Sequence, residues 1–234
     1  MATSEKLGTK KNEHVQGKEN FLTKIINFYN HNEKIIFGIL IGILVIVGGL
    51  LAFNKFYLKP LNQKASALMV QPIKFFAQGD SASLNIALEG NDDIDGFLTI
   101  ASDFKLTKTA NTANLYAGLI YLKQGNKEEA LDYLLKFKKK EDVLWYNAQA
   151  IIGDLYDEME DTDKAIQYYK KACESENSFY APIALFKLGQ LYERQEKWED
   201  AYETYQMIED NFYQQYINMG VDKCLERAKI YAEK

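Results

Sequence analysis

Apolar and polar residues follow three different patterns along this chain. Residues 1–20 are almost wholly polar, with Leu7 and Val15 as their only large aliphatic side chains. So little apolar surface cannot offset the entropy of ordering, and a disordered tail is expected. From 21 to 34 a helical pattern begins, with Phe21, Leu22, Ile25, Ile26, Phe28 and Tyr29 on one side and Thr23, Lys24, Asn27 and Asn30 on the other. That pattern suits a juxtamembrane amphipathic helix, or the start of the longer helix that follows. Residues 35–53, IIFGILIGILVIVGGLLAF, are 19 positions without a charge. As a helix they reach about 28 Å, close to the roughly 30 Å of a hydrocarbon core. A transmembrane helix is predicted. A cleaved leader fits less well, because its apolar stretch is usually about 7–15 residues behind a short basic start.

Beyond the span the apolar spacing is helical throughout. Between 58 and 77 it is interrupted by Pro60 and Pro72, which predicts one bent helix or two short ones. Short helices are expected at 81–88, ended by Gly90 and the turn Asn91-Asp92-Asp93, and at 96–104. From Thr109 onward no alternation of period two occurs. The fold class expected is all-α.

The region after Thr109 also repeats itself. Gly118, Gly153 and Gly189 stand 35 and 36 residues apart, and so do Ala130, Ala165 and Ala201. Three residues after each glycine comes a tyrosine: Tyr121, Tyr156 and Tyr192. Each unit reads as two helices crossing closely, with glycine and alanine expected to face each other at the crossing and the tyrosine to fill the wedge beside it. Gln124-Gly125-Asn126, Glu160-Asp161-Thr162 and Gln195-Glu196-Lys197 supply the turns between helices. A period of this length indicates a solenoid, and three units are the minimum for a stable array. The array is placed at 109–210, with linker and N-capping helices at 54–108. A C-terminal capping helix at 211–234 would bury a face made of Ile217, Val221, Cys224, Ala228 and Tyr231.

These positions match the tetratricopeptide repeat: the small residue, the aromatic three later, the alanine, and then Leu134, Tyr169 or Tyr205 four residues beyond it. Asn114, Gln149 and Leu185 depart from the tryptophan often found at their position, and no proline closes a unit. The chain therefore reads as a single N-terminal transmembrane helix followed by a tetratricopeptide-repeat α-solenoid. The whole arrangement resembles the bacterial inner-membrane family typified by the ancillary subunit of the SecYEG translocon. Its most specific part is Gly96-Phe97-Leu98-x-Ile100 followed by Thr109-Ala110-Asn111-x-Ala113-Asn114-Leu115-Tyr116-Ala117-Gly118. The resemblance implies a single-pass inner-membrane protein with its N-terminus in the cytoplasm and its repeats in the periplasm. It implies a place beside the Sec translocon, with a membrane-anchored periplasmic chaperone or emerging unfolded chains as partners. An adaptor for envelope assembly or cell division, with the helix only a tether, is the alternative.

In such repeats the first helices line a concave face. Here that partner groove would comprise Leu115, Leu119 and Leu122, then Asn147, Asp154, Asp157 and Glu158, then Phe186, Gln190 and Glu193. An apolar strip followed by an acidic one suits an amphipathic, basic or neutral segment of a partner. The acids could equally form a plain solvated face. Inside the span, Gly38, Gly42 and Gly49 share one side and offer a close approach to a neighbouring membrane helix.

Composition narrows the chemistry. Both histidines, His14 and His31, precede the span, so no imidazole is available after it as base or metal ligand. No phosphate-binding glycine loop, nucleophile elbow or CxxC occurs there. Asp92, Asp93 and Asp95 lack the later ligand of a calcium loop. Neither an enzyme nor a cofactor or metal site is expected. Residues 54–234 carry 22 basic against 29 acidic side chains, which disfavours nucleic acid. Lysines flank the span on both sides and do not fix its orientation; the short lysine-bearing tail favours a cytoplasmic N-terminus. Cys173 and Cys224 suit a disulfide in an oxidising compartment or, more simply, small fillers in helix interfaces.

Overall fold

The computed structural model describes the backbone of residues 3–138 and 143–234, and the side chains of residues 23, 27–29, 31–138 and 143–234. The chain divides into two units, Met1–Pro60 and Leu61–Lys234.

The first unit is one long helix and a turn. Helix α1 (Thr3–Phe53) runs for 51 residues, interrupted at Asn32 (φ −115°, ψ 15°). The Asn32 amide there donates to the Phe28 carbonyl at 2.9 Å. The backbone is thus helical well upstream of the point where the apolar pattern begins. Where a disordered tail was expected, lysine, glutamate and glutamine, which are good helix formers, outnumber the breakers Gly8 and Gly17. Most of the apolar face expected at 21–34 lies on side chains outside the described ones. Residues 35–53 stand fully in α1 with all their large side chains except Ile36 exposed, Leu44 at 72% and Ile46 at 63%. By length and composition this helix can cross a membrane. A π-helical turn, Asn54–Leu58, follows, with the Phe53 and Tyr57 rings stacked at 5.0 Å.

The second unit begins with the two short helices that the prolines predict, α2 (Lys59–Leu68) and α3 (Val70–Gln78). Pro72 falls in the first turn of α3, where its missing N–H leaves no hydrogen bond unmade. Helix α4 (Ser81–Glu89) is capped by Asp80, whose carboxylate accepts from the Ser83 N–H at 3.0 Å. These hydrogen bonds from Ser83 hold the Asp80 carboxyl below its ordinary value. Next comes a feature that the helical pattern gave no sign of, a two-residue antiparallel ladder of β1 (Gly90–Asn91) and β2 (Ile94–Asp95). Gly90 makes it possible: its φ is +89°, and a Cβ there would lie 2.3 Å from the Ile94 carbonyl oxygen. Helix α5 (Phe97–Asp103) then leads to the array.

The array consists of three helical hairpins: α6 (Lys108–Gln124) with α7 (Lys127–Lys136), α8 (Val143–Glu158) with α9 (Thr162–Cys173), and α10 (Tyr180–Arg194) with α11 (Trp198–Asn211). Thr107 caps α6 through the Ala110 N–H at 3.1 Å, and Asp161 caps α9 through the Lys164 N–H at 3.2 Å. Between the paired helices one residue is left-handed each time: Gly125 (φ 80°), then Glu160 (φ 61°) and Glu196 (φ 58°) at the equivalent positions. Ala130, Ala165 and Ala201 are wholly buried. The partner of each glycine is nevertheless not that alanine but the residue four positions later. A Cβ on Gly118 would meet Leu134 at 2.7 Å, one on Gly153 the Tyr169 ring at 2.7 Å, and one on Gly189 the Tyr205 ring at 2.4 Å. The larger side chain lies across the bare glycine backbone, and the alanine packs beside it.

Two further helices, α12 (Tyr213–Met219) and α13 (Asp222–Ala232), cover α11. The single inward line expected for this cap does not hold. Val221 and Ala228 are buried, but Ile217 is 53% and Tyr231 45% exposed. Gly220 (φ 64°) ends α12 and resets the helical phase, so that Tyr216 points inward instead of Ile217. Buried apolar side chains gather in three clusters. One joins α2–α5 to α6, including Phe97, Ile100 and Ile120. A middle one holds Leu115, Leu134, Phe137, Ile152 and Leu155. The last runs from Ala165 through Leu191 and Tyr205 to Ala228.

Candidate partner-binding face

The ten residues expected to line a groove lie on α6, α8 and α10, and the structure gives them unlike roles. Leu115 is buried in the middle cluster, 4% exposed, and Leu119 and Leu122 pack partly buried against the same cluster. The apolar strip of the first repeat is therefore largely core. Asn147 and Phe186 are half-buried, and Gln190 is exposed. Phe186 leans on Tyr205, ring centroids 6.0 Å apart.

The acidic strip is a set of joints. Asp154 on α8 receives the Lys187 ammonium from α10 at 2.6 and 2.7 Å, and the Tyr169 hydroxyl donates to it at 2.7 Å. Asp157 pairs with Arg194, again linking α8 to α10. Glu158 reaches back to Lys127 at the start of α7, 2.7 Å away. Glu193 is held by Arg227 of α13 through hydrogen bonds of 2.7 and 3.0 Å. Each of these acids thus ties its hairpin to a neighbour, and a partner's cations would have to displace a cation already present. The expectation of an open acidic strip is corrected accordingly. Sequence spacing could have shown this: Lys187 and Arg194 stand 33 and 37 residues after their acids, about one repeat.

Burial and these bonds move several protons. Burial, then the hydrogen bond to Asp154, pushes the Tyr169 phenol far up. Tyr205 is pushed up mainly by burial; its hydroxyl has no hydrogen-bond partner, since Gln190 stands where Tyr169 finds Asp154. The hydrogen bond that Arg227 donates to Glu193 raises Arg227, keeping that cation charged. Cys173 and Cys224 are free and partly buried, and burial pushes the Cys173 thiol up to about 12. Among the described residues no group of three metal-ligating side chains comes together. The residues marking the repeat carry packing roles: Tyr121 stacks on Tyr133 at 5.5 Å and Tyr156 on Tyr168 at 5.3 Å. Tyr192 is buried, with the Lys170 ammonium 5.8 Å from its ring. In the first unit, Gly38, Gly42 and Gly49 have no heavy atom within 4 Å of where a Cβ would stand.

The repeat family's models agree with this architecture. Residues 112–141, 146–179 and 183–212 each match models of the tetratricopeptide repeat. Among solved structures, a crystal structure of MamA protein is similar at 17% identity and a TM-score of 0.48, covering 72% of this chain and 88% of that one. A second MamA crystal structure has 19% identity and a TM-score of 0.37, covering 58% and 89%. BtubC (BKLC) from P. vanneervenii has 15% identity and a TM-score of 0.42, covering 74% and 91%. No curated protein matches the chain. The repeats make this an interaction scaffold for other proteins, built on an all-α solenoid behind one long apolar helix.

Proposed function

We propose that the chain is a membrane-anchored scaffold, with the helix over 35–53 as its anchor and the repeat array as the surface that holds partner proteins. The observation that carries this reading is the joining, in one chain, of a repeat array to an apolar helix whose large side chains, Ile36 excepted, stand exposed. Such a helix is costly in water and stable in lipid. In this reading the anchor sits in a bacterial inner membrane beside the Sec translocon, with the N-terminus in the cytoplasm. The array then works in the periplasm without catalytic chemistry of its own, taking a membrane-anchored chaperone or an emerging chain. Support comes from the likeness of 96–100 and 109–118 to the translocon's ancillary subunit, and from the spacing that sets Gly38, Gly42 and Gly49 along one side of the helix.

Site-specific photo-crosslinking in vivo from Val45 and from Gln190, with mass spectrometry of the adducts, tests both surfaces. Translocon subunits are expected from Val45, and chaperones or nascent chains from Gln190. Replacing 35–53 with an unrelated apolar helix separates docking from tethering. Unchanged co-purification with the translocon would refute docking through the glycine seam and leave an adaptor on a tether, as envelope assembly or division would use. Protease digestion of the array in inverted rather than right-side-out vesicles would refute the topology.

A further inference from the structure

The third hairpin lacks something that the first two possess. In those two the wedge beside the first helix is closed by a second tyrosine, Tyr133 lying on Tyr121 and Tyr168 on Tyr156. Ammonium groups rest on these rings: Lys136 stands 4.2 Å from Tyr133, Lys171 4.1 Å from Tyr168 and Lys164 4.9 Å from Tyr156. Counted from Gly189 as from Gly153, the third hairpin keeps the first tyrosine as Tyr192. It has Thr204 for Tyr168, Met207 for Lys171 and Asp200 for Lys164. The second ring has gone, and neither cation of the second hairpin is kept; the first hairpin already carries Glu129 at the Lys164 position.

A solvent-open cavity of about 380 Å³ lies in this place, between α9, α10 and α11. Leu188 and Tyr192 form its floor, Thr204 and Met207 a wall, and Asp200 and Glu203 a rim. Met207 is 48% exposed, and a thioether adapts well to the edge of an aromatic ring. We propose that this cavity is a docking socket for an aromatic side chain of tyrosine size, presented by a partner protein next to a basic residue. The chain's own second hairpin supplies the template, since the equivalent wedge is filled there by a phenol with lysines around it. Asp200 and Glu203 make the rim acidic, and Asp200 stands where that template carries Lys164, which favours a cation arriving with the ring. Lys170, near Tyr192, is the one cation that lines the cavity and sets the opposing term. The inference rests on the scaffold reading and adds a second surface, with a stated partner chemistry, to the one formed by the first helices.

The test uses the full chain in detergent micelles with carbon-13 methyl methionine, the Met207 signal being identified by its loss in Met207→Leu. The probes are tyramine, p-cresol and phloretate, one phenol carrying a positive, no or negative charge. A saturable shift of the Met207 methyl is expected, with tyramine binding about fivefold tighter than p-cresol and phloretate weakest. Thr204→Tyr, which plugs the socket as the second hairpin does, is expected to abolish the shift while keeping the wild-type Tm. Asp200→Lys, on the exposed rim, is expected to erase the preference for tyramine and leave p-cresol unchanged. No saturable response, equal binding of the three probes, or a response that survives in folded Thr204→Tyr overturns the proposal. A Met207 shift that follows protein concentration without any probe makes a second copy the occupant and overturns it too. Crosslinks from Gln190 without a Met207 response sink the socket alone, whereas a Met207 response without crosslinked partners sinks the scaffold reading.

Discussion

Gly189→Ala sets two effects of opposite sign against each other. Within a helix, replacing glycine by alanine is favourable by about 1 kcal/mol, because the unfolded chain loses freedom. In the third hairpin the added carbon would lie 2.4 Å from Tyr205 Cε1, 2.7 Å from Cζ and 2.9 Å from Cδ1. Non-bonded carbons rest at about 3.5–4.0 Å, so the ring or the helix must move by roughly 1 Å. The ring has no free path to solvent: Tyr205 is 0% exposed, with Phe186 packed beside it. Overpacking of an enclosed site costs about 1–3 kcal/mol, and this overlap lies toward the upper end. The net result is a loss of about 1–2 kcal/mol, or about 2–8 °C in Tm for a unit of this size. Thermal unfolding of the full chain in detergent, followed by far-UV circular dichroism, measures it. In a Tyr205→Ala background the clash disappears, and the same substitution is expected to stabilise. An unchanged or raised Tm for Gly189→Ala alone would refute the close crossing, since helix propensity would then have won.

Tyr169→Phe removes a hydrogen bond to a carboxylate and is expected to cost about 1–2 kcal/mol, whereas Tyr205→Phe removes an unpaired hydroxyl and should be neutral or stabilising; paired melting curves separate them. Glu196→Gly relieves a left-handed conformation at the hairpin turn and is expected to stabilise by about 0.5–1 kcal/mol in urea titrations. Arg227→Ala, which frees the 13% exposed Glu193 carboxylate, should cost about 1 kcal/mol, and the loss should shrink in high salt. For the alkaline limit the sign follows from Tyr169 and Cys173, which hold their protons longer folded than unfolded. Their contribution is intact below the ordinary values of 10.0 and 9.0 and is lost as pH rises through the folded ones, so Tm measured against pH should fall from about pH 9 upward. A flat profile to pH 11 would contradict the burial of both groups.

The sequence carried the repeat far better than the site. Glycine, tyrosine and alanine recur at fixed spacing because each meets a steric demand at a helix crossing, so Gly118, Gly153 and Gly189 could be placed before any coordinates. Which residue faces each glycine was less legible, because alanine's small size suggested a crossing that Leu134, Tyr169 and Tyr205 in fact fill. The cap misled for a local reason, since Gly220 breaks the phase that an unbroken helix through Ile217 and Tyr231 would keep. The acids on the first helices looked open because helical spacing shows only their own face. Their cations come from the next first helix, the preceding second helix or the cap, a relation that appears only when residues about one repeat apart are read together. The Tyr192 wedge was hidden because its content is an absence, visible only against Tyr133 and Tyr168.

The three apolar clusters are out of step with the sequence repeat. The middle one takes Leu115 from α6, Leu134 from α7, Phe137 just after it, and Ile152 and Leu155 from α8, so it reaches out of one unit into the first helix of the next. Cohesion is therefore shared across unit boundaries, and a chain stopped at such a boundary would end on half a core. Ending after α7, for instance, would strip the cover from Leu134 and Phe137. An array of this kind has no natural last unit; it can stop only where some helix stands in for a successor that never comes. Helices α12 and α13 do this for α11, burying Val221 and Ala228 in its cluster. The tail beyond the last sequence repeat is thus part of the array's grammar, and lengthening the scaffold by evolution or design means inserting units upstream of it.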